Sequence, residues 1–312
     1  MTTGLRNEVE PFMPTTRLAI ASFCRVQWQP KQPAWASIAR AKPDLLLLLG
    51  DNVYMREYAD KSRWDHVHLE NRYREQFREP NFRALIATTP FMATWDDHDF
   101  SPNDARGADA SNMMREESRA LFHKYMARSV GLTNPDIYAS HEIGNVKVIM
   151  LDARYYSERA DPKRPAATLL GKPQENWLWR QLDHDRRYTV IGAGATLGPN
   201  EKDRKFETWR SYRDFYARFL EQIAKRRRVM VVSGDIHRNA VTDHGGFFEV
   251  TSSGIGRLEI IQKKPKQILG QPLDNYGLIT FSEKFVDVAL HGRRASDQIS
   301  ARIDSERWRA VR

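Results

Sequence analysis

Residues 94–100 read Thr-Trp-Asp-Asp-His-Asp-Phe, three carboxylates around one imidazole, directly after the apolar run FMATW (91–95). Carboxylates at close range cannot all ionise without cost, and a low dielectric raises that cost. A solvated loop tolerates the acids but gives no role to the histidine or the tryptophan. A bound cation reverses the sign of the cost. Three other apolar runs end in the same kind of residue. RLAIASF (17–23) runs into Cys24, LLLLLG (45–50) into Asp51-Asn52-Val53-Tyr54, and VMVVSG (229–234) into Asp235-Ile236-His237. Thiol, carboxylate, phenol and imidazole are metal-ligating groups. Taken singly, GDNVY also reads as a turn and GDIH as a loop. Four such ends in one chain, in the order C…GDxxY…DDHD…GDxH, select the metal reading.

The elements that must position these residues are short apolar runs alternating with amphipathic stretches. Strands are expected at 17–23, 45–50, 91–95, 146–152, 188–192, 229–235, 247–253, 277–282 and 285–291. Several are continuously apolar, as strands covered on both faces tend to be. Helices are expected at 33–41, which opens on a proline suited to a first turn, and at 64–79, 111–130, 173–185 and 203–228. Such alternation argues for an α/β domain, in which ligands collect at the carboxyl ends of the strands. The last sixty residues read as antiparallel strands, suited to a second sheet packed on the first. No Pro/Gly/Ser linker divides the chain, so 1–312 is expected to form one domain.

The chain has 312 residues, 41% of them hydrophobic, and a net charge of +9. That length buries a large core, and the charged fraction and lack of low-complexity segments argue against disorder. A basic balance suits anionic partners without naming one. The densest run, KRRR at 225–228, closes a helical stretch, where cations complement the dipole and solvate the face. The aromatics Phe206, Trp209, Tyr212, Phe215, Tyr216 and Phe219 recur at helical spacing as a core stripe. Trp95 is expected to pack a strand end; His66, His68, His123 and His184 lie on expected helical stretches, as surface or packing residues. Tyr155 and Tyr156 suit either a cleft wall or the core. One cysteine excludes an intrachain disulfide. No apolar run approaches a membrane span and no signal-peptide pattern opens the chain, so a cytoplasmic location is expected.

The motifs together resemble the PhoD-like (alkaline phosphatase D) branch of the binuclear metallophosphatases. They are ASFCRVQWQPKQPAW, PDLLLLLGDNVY, TWDDHDFSPNDA, VIMLDARYYSE, LLGKPQENWLWRQL, VVSGDIHRNAV and FEVTSSG, spread over roughly residues 18–256. The resemblance implies a four-layer α/β/β/α sandwich of two mixed sheets flanked by helices, and a site for two or more metals. It implies Cys24, Asp51 and Tyr54 as ligands, with Asp51 as the bridge. Asp97 stands where the superfamily's GNH motif has its metal-binding asparagine, and His98 at the histidine that assists the leaving group. Asp235 and His237 replace the superfamily's paired histidines. Asn103 is a candidate ligand or phosphate contact and Arg154 a candidate phosphate clamp. The sequence departs from the family at Ser22-Phe23-Cys24, where Gly-Ser-Cys is common, and at Met55-Arg56, where an acid often stands. The family's usual N-terminal β-sandwich and export leader have no counterpart in this sequence.

The activity so implied is phosphomonoester or phosphodiester hydrolysis, by in-line attack of a hydroxide bridging two metals about 3.5–4 Å apart. A phenol and a thiol on one ion suit ferric iron, by the resemblance; the carboxylate-rich position suits calcium, manganese or magnesium. The partner expected is a small phosphate ester, with nucleic acid only as a substrate, and the sequence leaves the oligomeric state open. Two alternatives stand beside this reading. One is a phospholipase D-type diesterase; the other is a basic nucleic-acid-binding protein with a degenerate metal site.

Overall fold

Strand and helix alternate from the start of the described chain: β1 (Thr16–Ala21), α1 (Pro33–Ala41), β2 (Leu45–Leu49), α2 (His66–Arg78), α3 (Pro80–Thr88), β3 (Phe91–Thr94), α4 (Asp97–Phe100), α5 (Asn112–Tyr125), β4 (Ala139–Ile143), β5 (Val146–Met150), α6 (Gly171–Gln181) and β6 (Tyr188–Ala193). There follow α7 (Arg213–Ala224), β7 (Val229–Ser233), β8 (Asn239–Asp243), β9 (Phe248–Ser252), β10 (Tyr276–Phe281), β11 (Phe285–His291), β12 (Ile299–Asp304) and β13 (Arg309–Val311). This computed structural model describes residues 15–22, 24, 29–55, 64–133, 135–161, 163–198, 208–256, 274–293 and 298–311.

The strands form two sheets, in the orders β13-β12-β11-β10-β1-β2-β3 and β4-β5-β6-β7-β9-β8. In the first, β1, β2 and β3 are parallel and β10 to β13 extend β1's free edge as antiparallel neighbours. In the second, β5, β6, β7 and β9 are parallel, with β4 and β8 antiparallel at the edges. The C-terminal strands are therefore antiparallel as expected, but they widen the first sheet instead of building the second. The second sheet grows from residues 139–252. The reason is register: Thr16 to Ile20 pair with Phe281 to Gly277, giving β1 neighbours on both edges.

Burial explains the all-leucine β2. Leu45, Leu47 and Leu49 point into the core between the sheets, with Leu18, Ile20, Met150, Val190, Met230 and Val232. Leu46 and Leu48 point the other way, onto a core shared with Trp35, Leu69, Phe82, Leu85 and Phe122 of the helices. A third core joins Ile149, Ile191 and Val231 to Leu178, Phe215 and Phe219 of α6 and α7. Each parallel strand is thus covered on both faces, and the layers run helix, sheet, sheet, helix.

Several boundaries differ from the sequence reading. The run 111–130 stops being helical at Tyr125 because Ser129 and Val130 turn to the edge of β3, where Ala93 N–H donates to Ser129 Oγ (3.0 Å) and Val130 N–H to Phe91 O (2.8 Å). Of the expected helix 203–228, residues 203–207 lie outside the described set. A 3-10 turn spans Trp209–Ser211, and Tyr212, with ψ near 75°, separates it from α7. The stripe from Trp209 to Phe219 packs inward as read. In KRRR, Lys225 pairs with Glu221, Arg226 donates to Leu182 O and Arg228 to Ser305 O. Among the described residues no helix is long and apolar enough to cross a membrane.

Candidate metal centre

The carboxyl ends of β1, β2 and β3 from one sheet meet those of β5, β6 and β7 from the other. Glycines permit the approach. A Cβ on Gly50 would lie 2.6 Å from Asp96 Cβ, and one on Gly194, just past β6, would lie 2.7 Å from the Asp96 carboxyl. Gly234 sits equally close against Ser22 Oγ and Leu49 O. Asp96 is thereby wedged, fully buried, between the two sheets.

Around it lie two groups whose ligating atoms are all within 4.8 Å of one another: Asp51, Asp97 and His98, and Asp96, Asp97 and Asp235. The residue common to both is Asp97, where the family resemblance puts Asp51 as the bridge. Tyr54 Oη donates to Asp51 Oδ2 and stands 3.4 Å from His237 Nε2. The Tyr54 and His98 rings lie with centroids 3.9 Å apart. Cys24 is buried beside them, and its N–H donates to Asp51 O (2.8 Å). Cys24 and His237 belong to neither three-residue group among the described residues; they border the pocket through Asp51 and Tyr54.

Three of these residues hold left-handed backbone: Asp51 (φ 52°), Asp235 (φ 62°) and His237 (φ 51°). Such conformations cost about 1–2 kcal/mol for a non-glycine residue and collect at functional sites. Asp99 secures the turn. Its carboxylate accepts from Asn52 N–H (3.1 Å), Asp96 N–H (3.0 Å) and Tyr73 Oη (3.3 Å). Asn52 adds a bond from Nδ2 to Thr94 O (2.9 Å). Arg154 is buried, with Nε on Asp96 Oδ1 (2.6 Å), Nη1 on Ala105 O (3.4 Å) and Nη2 at 3.8 Å from Asp97. The sequence reading set it as a phosphate clamp; here it is first a partner for carboxylates. Asn103, half-buried, donates to Asp104 Oδ2 (2.6 Å), and Asp104 N–H donates to Asp97 Oδ2 (2.6 Å).

The electrostatics test whether these residues fit a cation. Burial, then the charges of Asp97, Asp96 and Asp235, push the Asp51 carboxyl well above its ordinary range. Asp235 is raised by burial and by the charges of Asp96, Asp97 and Asp104, which together outweigh Arg154. Burial carries Asp99 up to about 7 and the Cys24 thiol well above its usual value. Asp97 is held at about 2: burial opposes this, but His98, Arg154 and two backbone N–H groups outweigh it. Asp51 Oδ1, Asp96 Oδ2 and Asp97 Oδ1 are buried without a hydrogen-bond partner. Buried carboxylate oxygens without a hydrogen-bond partner are costly, and multivalent cations held by the two groups would satisfy them.

Sequence reasoning counted Asp96 among the acids that call for a cation but gave it no role of its own, because the family pattern drew attention to the next two residues. It also missed Gly194, whose only signal is an unexplained glycine after a buried strand, and the clamp made by Asp99.

A family model described as PhoD-like phosphatase matches residues 18–262. The chain belongs to this family. The PhoD-like chain is 25% identical over 295 residues to alkaline phosphatase D of Bacillus subtilis (strain 168), covering 80% of this chain and 50% of that protein. It thus spans about half the length of that relative. Its fold matches a solved structure titled Structure of PhoD, with TM-score 0.79 and 19% identity over 96% of this chain and 72% of that one. It also matches purple acid phosphatase PPD1 of yellow lupin (TM-score 0.57, 11% identity, 96% and 53% covered). A third match is GAP50, described as the anchor in the inner membrane complex of Plasmodium (0.53, 11%, 96% and 87%). A fold shared by a phosphatase and an anchor leaves activity to be argued from the site.

Proposed function

We propose that this PhoD-like chain is a metal-dependent phosphoesterase acting on phosphomonoesters or phosphodiesters. The observation that carries the reading is the convergence of unpartnered, buried Asp51, Asp96 and Asp97 oxygens beside His98. When bound, a pair of ions lowers the pKa of water and draws charge from phosphoryl oxygens. In this reading Asp51 and Asp97 would hold one ion, with Tyr54 and Cys24 at hand, and Asp96, Asp97 and Asp235 would hold the other, while His98 beside them serves the leaving oxygen. Ferric iron suits the position near phenol and thiol; calcium, manganese or magnesium suits the carboxylate-rich one.

The chain's own residues do the rest. Asp99 and Asn52 fix the backbone that carries Asp51 and Asp96. Arg154 keeps Asp96 and Asp97 aligned and offers a cation to the equatorial oxygens of a bound phosphoryl group. Water oxygen adds to phosphorus as the bond to the leaving oxygen breaks in line. His98, its Nε2 4.0 Å from Asp97 Oδ2, steadies that oxygen or gives it a proton. Asn103 and His237, both half-buried, would serve as substrate contacts in this reading.

The test is hydrolysis of p-nitrophenyl phosphate and of its bis ester, each with and without chelator. Chelator-sensitive turnover of either supports the proposal, and the ratio sets the monoester or diester preference. No turnover of either by fully metal-loaded protein contradicts it.

A further inference from the structure

We propose that Glu249 is a positioning residue for the metal centre, locking from behind the ends of β6 and β7 that carry Gly194 and Asp235. The inference rests on the metal-centre reading above.

Glu249 lies on β9, between β7 and the edge strand β8 of the second sheet, and is 1% exposed. Its Oε1 accepts from Thr196 Oγ1 (2.8 Å), Leu197 N–H (2.9 Å) and Ser233 Oγ (2.8 Å). Its Oε2 stands 3.3 Å from His244 Nε2. That ring is stacked on Phe247 (centroids 4.8 Å, 13° between planes), and its Nδ1 is 3.4 Å from Arg210 Nη2. The donors come from three places: the segment after β6, the last residue of β7, and the turn between β8 and β9.

Those donors control the floor of the site. Two residues before Thr196 is Gly194, against which the Asp96 carboxyl is packed. Two residues after Ser233 is Asp235, in its left-handed conformation. Gly234 N–H donates to Gly194 O (2.9 Å), so the two strand ends are tied twice, once by this bond and once through Glu249. A left-handed aspartate persists only where its surroundings over-determine it. A scaffold role alone gives no reason for a buried carboxylate, because apolar residues of similar size fill such a place at equal or lower cost. Four directed contacts on one side chain do give a reason: they fix distances that dispersion forces leave loose. The effect is confined to Asp96 and Asp235, so it falls on the Asp96, Asp97 and Asp235 position more than on the Asp51 group.

The experiment titrates Mn2+ into chelator-treated full-length protein and reads stoichiometry and affinity by calorimetry. Glu249→Ala is expected to weaken one of two Mn2+ positions by roughly 10- to 100-fold, the usual effect of losing a group that orients ligands. Glu249→Gln, which keeps an acceptor for Thr196, Leu197 and Ser233, should recover most of that loss. The double variant Thr196→Val with Ser233→Ala serves if Glu249→Ala does not fold, and is expected to weaken the same position. Glu175→Ala breaks the pair of buried Glu175 with half-exposed Arg218 on the helical face and controls for general destabilisation; its Mn2+ binding should match wild type. Equal binding by wild type and the network variants overturns the inference, as does an equal loss in Glu175→Ala or Glu249→Gln. No Mn2+ binding by wild type overturns the metal-centre reading instead.

Discussion

At the scale of single residues, the site is a set of costs that one charge offsets. Asp51, Asp235 and Asp99 are all pushed above the ordinary carboxyl range by burial, Asp99 to about 7. Without metal, the folded state therefore binds more protons than the unfolded state between about pH 4 and 7. Stability of chelated protein should fall as pH rises through that window, by up to ~4 kcal/mol for Asp99 alone. Metal-loaded protein should not show this fall; thermal unfolding of both forms across pH checks it. Gly194→Ala should be as damaging as loss of a ligand, since its methyl would take the space of the Asp96 carboxyl. Overpacking of this kind costs about 1–3 kcal/mol, and Mn2+ affinity should drop with it. The ligand types were legible because thiol, carboxylate and imidazole at strand ends have few other reasons to be there. Asp96, Asp99 and Glu249 were not, since their roles depend on which backbone groups face them, and that is set by packing between sheets.

At the scale of elements, β2 states its environment in its composition. Leu46→Ala and Leu47→Ala should each cost about 2–5 kcal/mol in denaturant unfolding, because the two faces sit in different but equally closed cores. A near-neutral result for either would mean that its face is open. The buried parallel strands were readable from continuous apolar runs. The strands β4, β8, β12 and β13, at or next to a sheet edge, were not: ASHEI and ISARID carry polar or charged side chains toward solvent, and only pairing with a neighbour makes them strands. α3 was missed because its proline follows Glu79 without a loop, with Glu79 capping Phe82 N–H (2.6 Å). The destination of β10 to β13 was misread because antiparallel pairing alone does not say which sheet a strand joins.

At the scale of the whole molecule, the charge of +9 should steer anionic esters without making a nucleic-acid-binding surface of KRRR. Three of its four side chains already hold acceptors within the chain. Salt should therefore lower kcat/KM for a phosphate ester only shallowly. A steep log–log salt slope in DNA binding would require several phosphate contacts and would favour the binding-protein alternative. The central claim is that the strand ends of two sheets assemble a pocket built for cations. Elemental analysis of freshly purified protein, set beside Asp97→Asn, tests it most directly, because Asp97 is shared by both ligand groups. The account predicts two or more metal ions per wild-type chain, and a loss of metal and turnover together in the variant. A wild-type protein that hydrolyses phosphate esters without bound metal, or an Asp97→Asn variant with full metal content and full turnover, would contradict it.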